Sequence, residues 1–310
     1  MDVLMQLLNG SMLAATFRMA TPLILGGTGG VFSERAGIMN LGIEGEMLVG
    51  ACAAAVVGIA TGNAWLGVLG ALLSGGLMGL LHAFICIRFH ANQTVVGTGV
   101  NILATGITPL VLQTLYDSGA ASPATPTLEA WSVPFLRDIP FLGAVLGTHS
   151  PLTYLALLLV PVSSFVLFRT RFGLRVRAVG EHPRAADTMG IHVYRHQYIS
   201  VALCGMLAGL GGAYLSLCQV SMFVKGMTNG RGFMAMAAMI FGKWNPWGVL
   251  LAALLFGCSD ALQMVLQAGG SQIPTDFLLC APYLLTVAAL ACFVGKAVSP
   301  RQVGKPYIKD

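Results

Sequence analysis

The sequence predicts an all-α integral membrane protein, a polytopic helical bundle of about eight or nine spans with broken or re-entrant helices. Three observations carry this. First, 56% of the 310 residues are hydrophobic and only 9% are charged, where a soluble domain carries roughly 25% charged residues. So few charges cannot solvate a globule of this size, and with a mean hydropathy of +0.78 the solvent for most of the surface is lipid. Second, the apolar residues fall in runs of about twenty, the length that crosses a bilayer core. Third, ten of the 17 Lys and Arg lie in two segments, 169–198 and 296–310, as cytoplasmic loops do under the positive-inside rule. The net charge of +5 is thus a topology signal and not a nucleic-acid signature.

Taken in order, the spans are 10–30, 46–62, 64–88, 95–116, 151–168, 199–221, a short piece at 232–243, 246–267 and 278–295. The start, MDVLMQLLNGSMLAATF, lacks the basic region of a secretory signal, so the first span is expected to stay as an uncleaved signal-anchor. The piece at 232–243 crosses only if 222–232 enters the membrane with it. Residues 1–310 read as a single transmembrane domain. The loop 169–198, with Arg169, Arg171, Arg175, Arg177, Arg184 and Arg195, lies inside, as does the tail 296–310 with Lys296, Arg301, Lys305 and Lys309. The Pro-, Ser- and Thr-rich stretch 117–150 holds Asp117, Glu129 and Asp138 against Arg137 and lies outside. Counting back puts the N-terminus outside and the region 31–46 near the inner side. Glycine pairs with small-xxx-small spacing, Gly75/Gly79, Gly205/Gly209 and Ala208/Gly212, let backbones approach closely. They serve either fixed packing or helices that slide in a gated path.

Four features bear on a polar solute path. From Gly26 to Glu46 (GGTGGVFSERAGIMNLGIEGE) glycine recurs and four charges sit between two spans. Backbone broken at membrane depth survives only where it lines a cavity or is buried in protein, so Asn40, Glu44 and Glu46 are candidates for the path. The alternative is an inner-surface loop with Glu34–Arg35 as a solvated pair. A compositional echo, Gly211-Gly212-Ala213-Tyr214 followed by Lys225 to Phe233, points to a second interrupted segment across a repeat interface and adds Phe233. Asp260 lies mid-span, where a carboxylate costs roughly 2.5–3.5 kcal/mol. It either contacts solute, pairs with Arg18 or Arg231, or sits at a seam between helices. Asn92, Gln93, Thr94, Thr98, Asn101 and Thr105 form a polar stripe on and just before the fourth span, with Asn101 and Thr105 one turn apart. Amides and hydroxyls suit an uncharged ligand such as a sugar or nucleoside, or they glue two helices.

Other chemistries find no pattern. The seven cysteines lie in apolar stretches without CxxC spacing, His82 stands alone on an apolar face, and no HExxH occurs, so no metal site is expected. The Gly–Lys pairs at 242–243, 295–296 and 304–305 lack a Gly-rich lead and a following Ser or Thr, so no phosphate-cradling loop is present.

The segments FSERAGIMNLGIEGEMLVGA (32–51), ANQTVVGTGVNILATGIT (91–108), RAVGEHPRAADTMGI (177–191) and GRGFMAMAAMIFGKWNPWGVLLAALLFGCSDALQ (230–263) resemble those of ABC importer permeases. The resemblance is to the branched-chain amino acid and monosaccharide permease superfamily, in particular its nucleoside and simple-sugar branch, and it covers nearly the whole chain in order. It implies a non-catalytic permease subunit, multi-pass in a bacterial cytoplasmic (inner) membrane, forming the path for a nucleoside or simple sugar. The chain itself would hold no cofactor; ATP and Mg²⁺ belong on a separate ABC ATPase subunit. A second, different permease and an extracytoplasmic solute-binding protein would complete the assembly, this chain resembling the shorter of the two permeases. Residues 182–191, with Glu181 just before, would be the coupling helix that docks on the ATPase through Glu181, Pro183, Arg184, Ala185, Asp187 and Gly190. Arg184 and Asp187, at i and i+3, are able to pair with each other or with the partner. His182 stands where many relatives carry Asn. The competing expectation is an ion-coupled secondary transporter of a small polar solute, with Asp260 and Glu44 as its ion sites.

Overall fold

A computed structural model describes residues 10–132, 145, 147–268 and 298–309. Among these, ten α-helices follow one another: α1 (Gly10–Arg35), α2 (Ile43–Thr61), α3 (Ala64–Arg88), α4 (Gln93–Tyr116), α5 (Pro151–Arg169), α6 (Arg171–Glu181), α7 (Pro183–Thr188), α8 (Val193–Tyr214), α9 (Arg231–Phe241) and α10 (Pro246–Ala268). A π-helical turn, Leu215–Gln219, extends α8. Two short strands, β1 (Trp131–Ser132) and β2 (Thr148–His149), pair antiparallel in the loop between α4 and α5, a ribbon not foreseen from sequence. The expected span at 278–295 lies outside the described residues.

Helix ends follow local chemistry. Gly62 (φ +65°) closes α2 in the left-handed region, where a residue without Cβ is unstrained. Asn63 then caps α3 by accepting the Trp65 N–H at 2.9 Å, and Asn92 caps α4 through Thr94 and Val95. Proline at the first position opens α5, α7 and α10, where its missing N–H leaves no bond unmade.

Six of the helices, α2, α3, α4, α5, α8 with its π-turn, and α10, are long and apolar enough to cross a membrane. Helix α1 is of another kind. It is rich in Gly and Thr, yet every residue from Met19 to Glu34 is buried. It packs against α8, α10, α9 and α5, so protein rather than lipid surrounds it. Helix α8 shares the centre, its span 78% buried against 33% for α4 at the periphery.

The glycine run was expected to interrupt the first helix, and it does not. Helix α1 continues unbroken through Gly26, Gly27, Gly29 and Gly30 to Arg35. The glycines instead let neighbours touch its backbone: a methyl group at Gly29 would lie 2.9 Å from the Cys204 carbonyl oxygen, and one at Gly27 would lie 2.9 Å from that of Ala235. Tertiary packing outweighs a propensity deficit of about 1 kcal/mol per glycine. The true break comes later, at 36–42, where Gly37 takes φ +88°.

The short piece runs on from the segment before it. Lys225 N–H donates to the Ala120 carbonyl at 2.8 Å, beyond the end of α4. Phe223 and Met227 then pack among Leu48, Cys52 and Leu112, and Gly230 reaches Glu44. Helix α9 completes the descent to Trp244, which meets Glu34.

The tightest seam joins α3 to α8. The Gly75/Gly79 pair faces Gly205/Gly209, and side chains added at Gly75, Gly205 or Gly209 would collide with the opposite backbone. Gly212 meets α2 in the same way, at Met47 and Ala51. We predict that Gly75→Val destabilises the detergent-solubilised subunit by roughly 3 kcal/mol or more. Gly99→Ala, whose added Cβ meets nothing within 4 Å, does not lower stability. Thermal unfolding followed by a thiol-reactive dye on the buried Cys52 and Cys204 measures both.

Candidate functional site

The break between α1 and α2 gathers several of the residues singled out above. Asn40 is buried; its Nδ2 donates to Glu46 Oε1 at 2.8 Å and lies 3.3 Å from Cys204 Sγ, while its Oδ1 accepts the Gly42 N–H at 2.9 Å. Asn101 reaches in from α4, its Oδ1 accepting the Gly45 N–H at 2.8 Å and its Nδ2 donating to the Leu41 carbonyl at 2.9 Å. These amides supply partners that the start of α2 lacks within its own helix. Glu44 points the other way. Its two oxygens accept the Gly230 and Gly232 N–H groups at 2.9 and 2.6 Å, placing an anion at the N-terminus of α9, where the helix dipole favours it. Glu46 is fully buried.

Asn40, Glu44, Glu46 and Asn101 therefore form one cluster, in which the two amides, both oxygens of Glu44 and one of Glu46 bind protein groups, while the second Glu46 oxygen is buried without a partner among the described residues. Phe233 stands beside it, one residue past Gly232, with 45% of its surface exposed. Asp260 lies half-buried on α10, between the buried Ser259 and Ala261. Asn92 and Thr105 do not join the cluster. Asn92 is an exposed helix cap. Thr105 donates back to the Ile102 carbonyl at 2.8 Å on the exposed face of α4. The expected stripe splits: Asn101 turns inward while Thr94, Thr98 and Thr105 face outward. The alternative of a solvated Glu34–Arg35 pair is also corrected. Glu34 is buried and accepts the Trp244 indole N–H. Arg35 donates to the Trp244 carbonyl at 3.1 Å and lies over Phe168, which Arg177 also approaches.

Three buried side chains that hold the break carried little signal in the sequence. Gln93 Oε1 accepts the Met39 N–H at 2.7 Å. His82 Nε2 lies 3.2 Å from the Met39 carbonyl oxygen. Gln197 donates to the Ala36 carbonyl at 3.4 Å. Their partners lie 43 or more residues away, which no local pattern reveals.

The arginine-rich loop folds as two helices, α6 and α7, separated by His182; α7, at Pro183–Thr188, is shorter than the helix expected over 182–191. A side chain at Gly180 would strike the Arg35 carbonyl, so α6 sits directly on the C-terminal end of α1. On α7, Pro183 and Ala186 are buried, Ala186 in a cluster with Val179, Val193 and Tyr307. Pro183, expected among the docking contacts, is thus an anchor facing the protein. Glu181, Arg184, Ala185, Thr188 and Gly190 are exposed, and Met189 is 81% exposed. Gly190 takes φ +78° to end the helix. Asp187, one residue of the expected i,i+3 pair, turns to the C-terminal tail: its carboxylate accepts the Tyr307 hydroxyl at 3.2 Å and pairs with Lys309 Nζ at 3.2 Å. Among the described residues, no group of three His, Cys, Asp or Glu is placed to hold a metal ion.

The Glu44 crossing yields a direct expectation. Glu44→Ala leaves two backbone donors without their acceptor and lowers stability by about 1–3 kcal/mol. Glu44→Gln, which keeps an acceptor, recovers about half of that. Thermal unfolding of the solubilised subunit distinguishes them.

Comparison with known proteins places this architecture. The family described as branched-chain amino acid transport system, permease component, matches residues 12–290. The chain is 42% identical over 304 residues to a guanosine ABC transporter permease protein of Bacillus subtilis (strain 168), with 95% of each chain covered. It is 41% identical over 300 residues to a nucleoside ABC transporter permease protein of Lactococcus lactis subsp. cremoris, with 94% of each covered. It is 38% identical over 312 residues to a putative glucose ABC transporter permease protein of Haloferax volcanii, with 94% of this chain and 93% of the relative covered.

Proposed function

The chain belongs to the permease components of branched-chain amino acid transport systems, and we propose that the solute it carries is a nucleoside. It is a membrane-spanning subunit of an ATP-binding-cassette importer in the cytoplasmic membrane and is not itself an enzyme; ATP hydrolysis lies on a partner subunit. The family implies an ABC ATPase and a solute-binding protein as partners. The nucleoside reading rests on the likeness to the guanosine and nucleoside permeases along nearly the whole chain. The exposed ring of Phe233 at the start of α9 supports it, because a base stacks on such a ring and a sugar alone gains less. The ion-coupled alternative has Asp260 and Glu44 as its ion sites, and the two oxygens of Glu44 are taken by backbone N–H groups.

The docking reading rests on the outward face of α7. Arg184, Ala185 and Met189 are exposed there beside Ile308, which is 57% exposed, at the end that the arginines mark as cytoplasmic. Apolar side chains exposed to water next to a basic surface suit a protein partner. A second, different permease is the proposed occupant of the exposed face of α4. There Gly99 and Gly106 meet nothing within 4 Å beside the exposed Thr98 and Thr105, groups that pack on another helix better than on lipid.

Two measurements test these readings. In proteoliposomes of the complete importer, labelled guanosine, adenosine, cytidine and uridine are expected to enter, and glucose and ribose are not. Phe233→Ala then lowers nucleoside uptake by about tenfold. Sugar uptake without nucleoside uptake overturns the assignment. Arg184→Glu and Gly190→Pro, the latter unable to take φ +78°, are expected to abolish uptake while the subunit still inserts. Normal uptake by either inserted variant refutes the docking role.

A further inference from the structure

The C-terminal tail is more than a charged end. Over residues 302–309 it binds three separate parts of the inner face. Its far end holds α7: Tyr307 and Lys309 both reach Asp187. Tyr307 is buried, with its ring 5.6 Å from that of Tyr194, and the Lys309 N–H donates to the Tyr194 hydroxyl at 3.3 Å. Its middle holds α6: the Gln302 N–H donates to the Gly180 carbonyl at 3.0 Å. Between these, the Gly304 N–H donates to Gln93 Oε1 at 3.2 Å.

That last contact is the informative one. Gln93 is 1% exposed, and the same oxygen accepts the Met39 N–H at 2.7 Å. Met39 lies inside the break between α1 and α2, with Asn40 next in the chain and its carbonyl 3.2 Å from His82 Nε2. One carbonyl oxygen therefore joins the tail to the backbone of the break. The Nε2 of Gln93 is buried without a partner among the described residues, so the side chain is positioned by its acceptor.

We infer that the tail is a strap carrying the displacement of the docking helix to the α1–α2 break, with Gln93 as the positioning residue that connects the two. The inference rests on α7 being the docking element. A push on α7 moves Asp187, the strap follows through Tyr307 and Lys309, and Gln93 conveys it to Met39 and the Asn40–Glu46 cluster. This is a contiguous route of hydrogen bonds, and its standing depends on measured coupling.

The test uses the complete importer in proteoliposomes, measuring ATPase retention on the membrane, ATP hydrolysis and labelled guanosine uptake together. Gln93→Leu keeps the side chain's bulk but removes the acceptor for both N–H groups. It is expected to retain the ATPase and hydrolyse ATP while uptake per ATP falls about tenfold, the equivalent of one to two hydrogen bonds. Gln93→Glu, which keeps an acceptor at a helix N-terminus, stays within about twofold of wild type. The double variant Tyr307→Phe/Lys309→Ala, which releases the other end of the strap, behaves as Gln93→Leu does and decides the matter should Gln93→Leu fail to insert. Unchanged uptake per ATP in these variants overturns the strap. So does loss of ATPase retention in step with uptake, which would make Gln93 a mere support of the dock. Arg184→Glu in the same preparation separates the two readings: if it retains the ATPase and full uptake, the docking reading fails on its own.

Discussion

A helix interrupted inside a membrane protein must find a partner for every backbone group it frees, because lipid offers none. The seven residues between α1 and α2 impose that requirement here. Ser33, Asn40, Gln93, Asn101, His82 and Gln197 meet it by binding the backbone of residues 36–45. These side chains come from α1, α3, α4 and α8 and from the break itself, so satisfying one short segment fixes the relative placement of four helices. The polar residues that look, in sequence, like contacts for a solute are to a large extent the structural means of keeping the break in place.

The glycines solve a second problem. Hydrophobicity does not hold helices together in lipid, where the surroundings are as apolar as the side chains, and close backbone contact must supply the attraction. Helix α1 is wrapped so closely that its Gly- and Thr-rich composition is hidden from lipid. Transfer free energy thereby becomes irrelevant to it, and a segment of low apolarity can occupy the centre.

Much of the architecture was legible in the sequence because apolar runs report length directly. The starts at Ala64, Pro151 and Pro246 were read within a residue. The α1 boundary was misread because glycine propensity is a local quantity, whereas Cys204, Ala235 and Met239, which pack against the helix there, lie 175 to 209 residues further along the chain. The clustering of Asn40, Glu44, Glu46 and Asn101 was partly legible, since three of the four share a segment. The grip of the tail on Asp187 and Gln93 was not. Sequence marks Lys305 and Lys309 only as positive charge, and Tyr307 carries no pattern at all.

The glycine seam has a bearing on how such a bundle moves. Where α3 and α8 meet, carbonyl oxygens of one helix lie against glycine Cα groups of the other with no Cβ between them, so neither sliding nor rotation of one against the other has clearance. Together with α2, locked to α8 at Gly212 and Gly50, they constitute a rigid slab. Any reshaping of the protein during its working cycle must then carry these three helices along as one body.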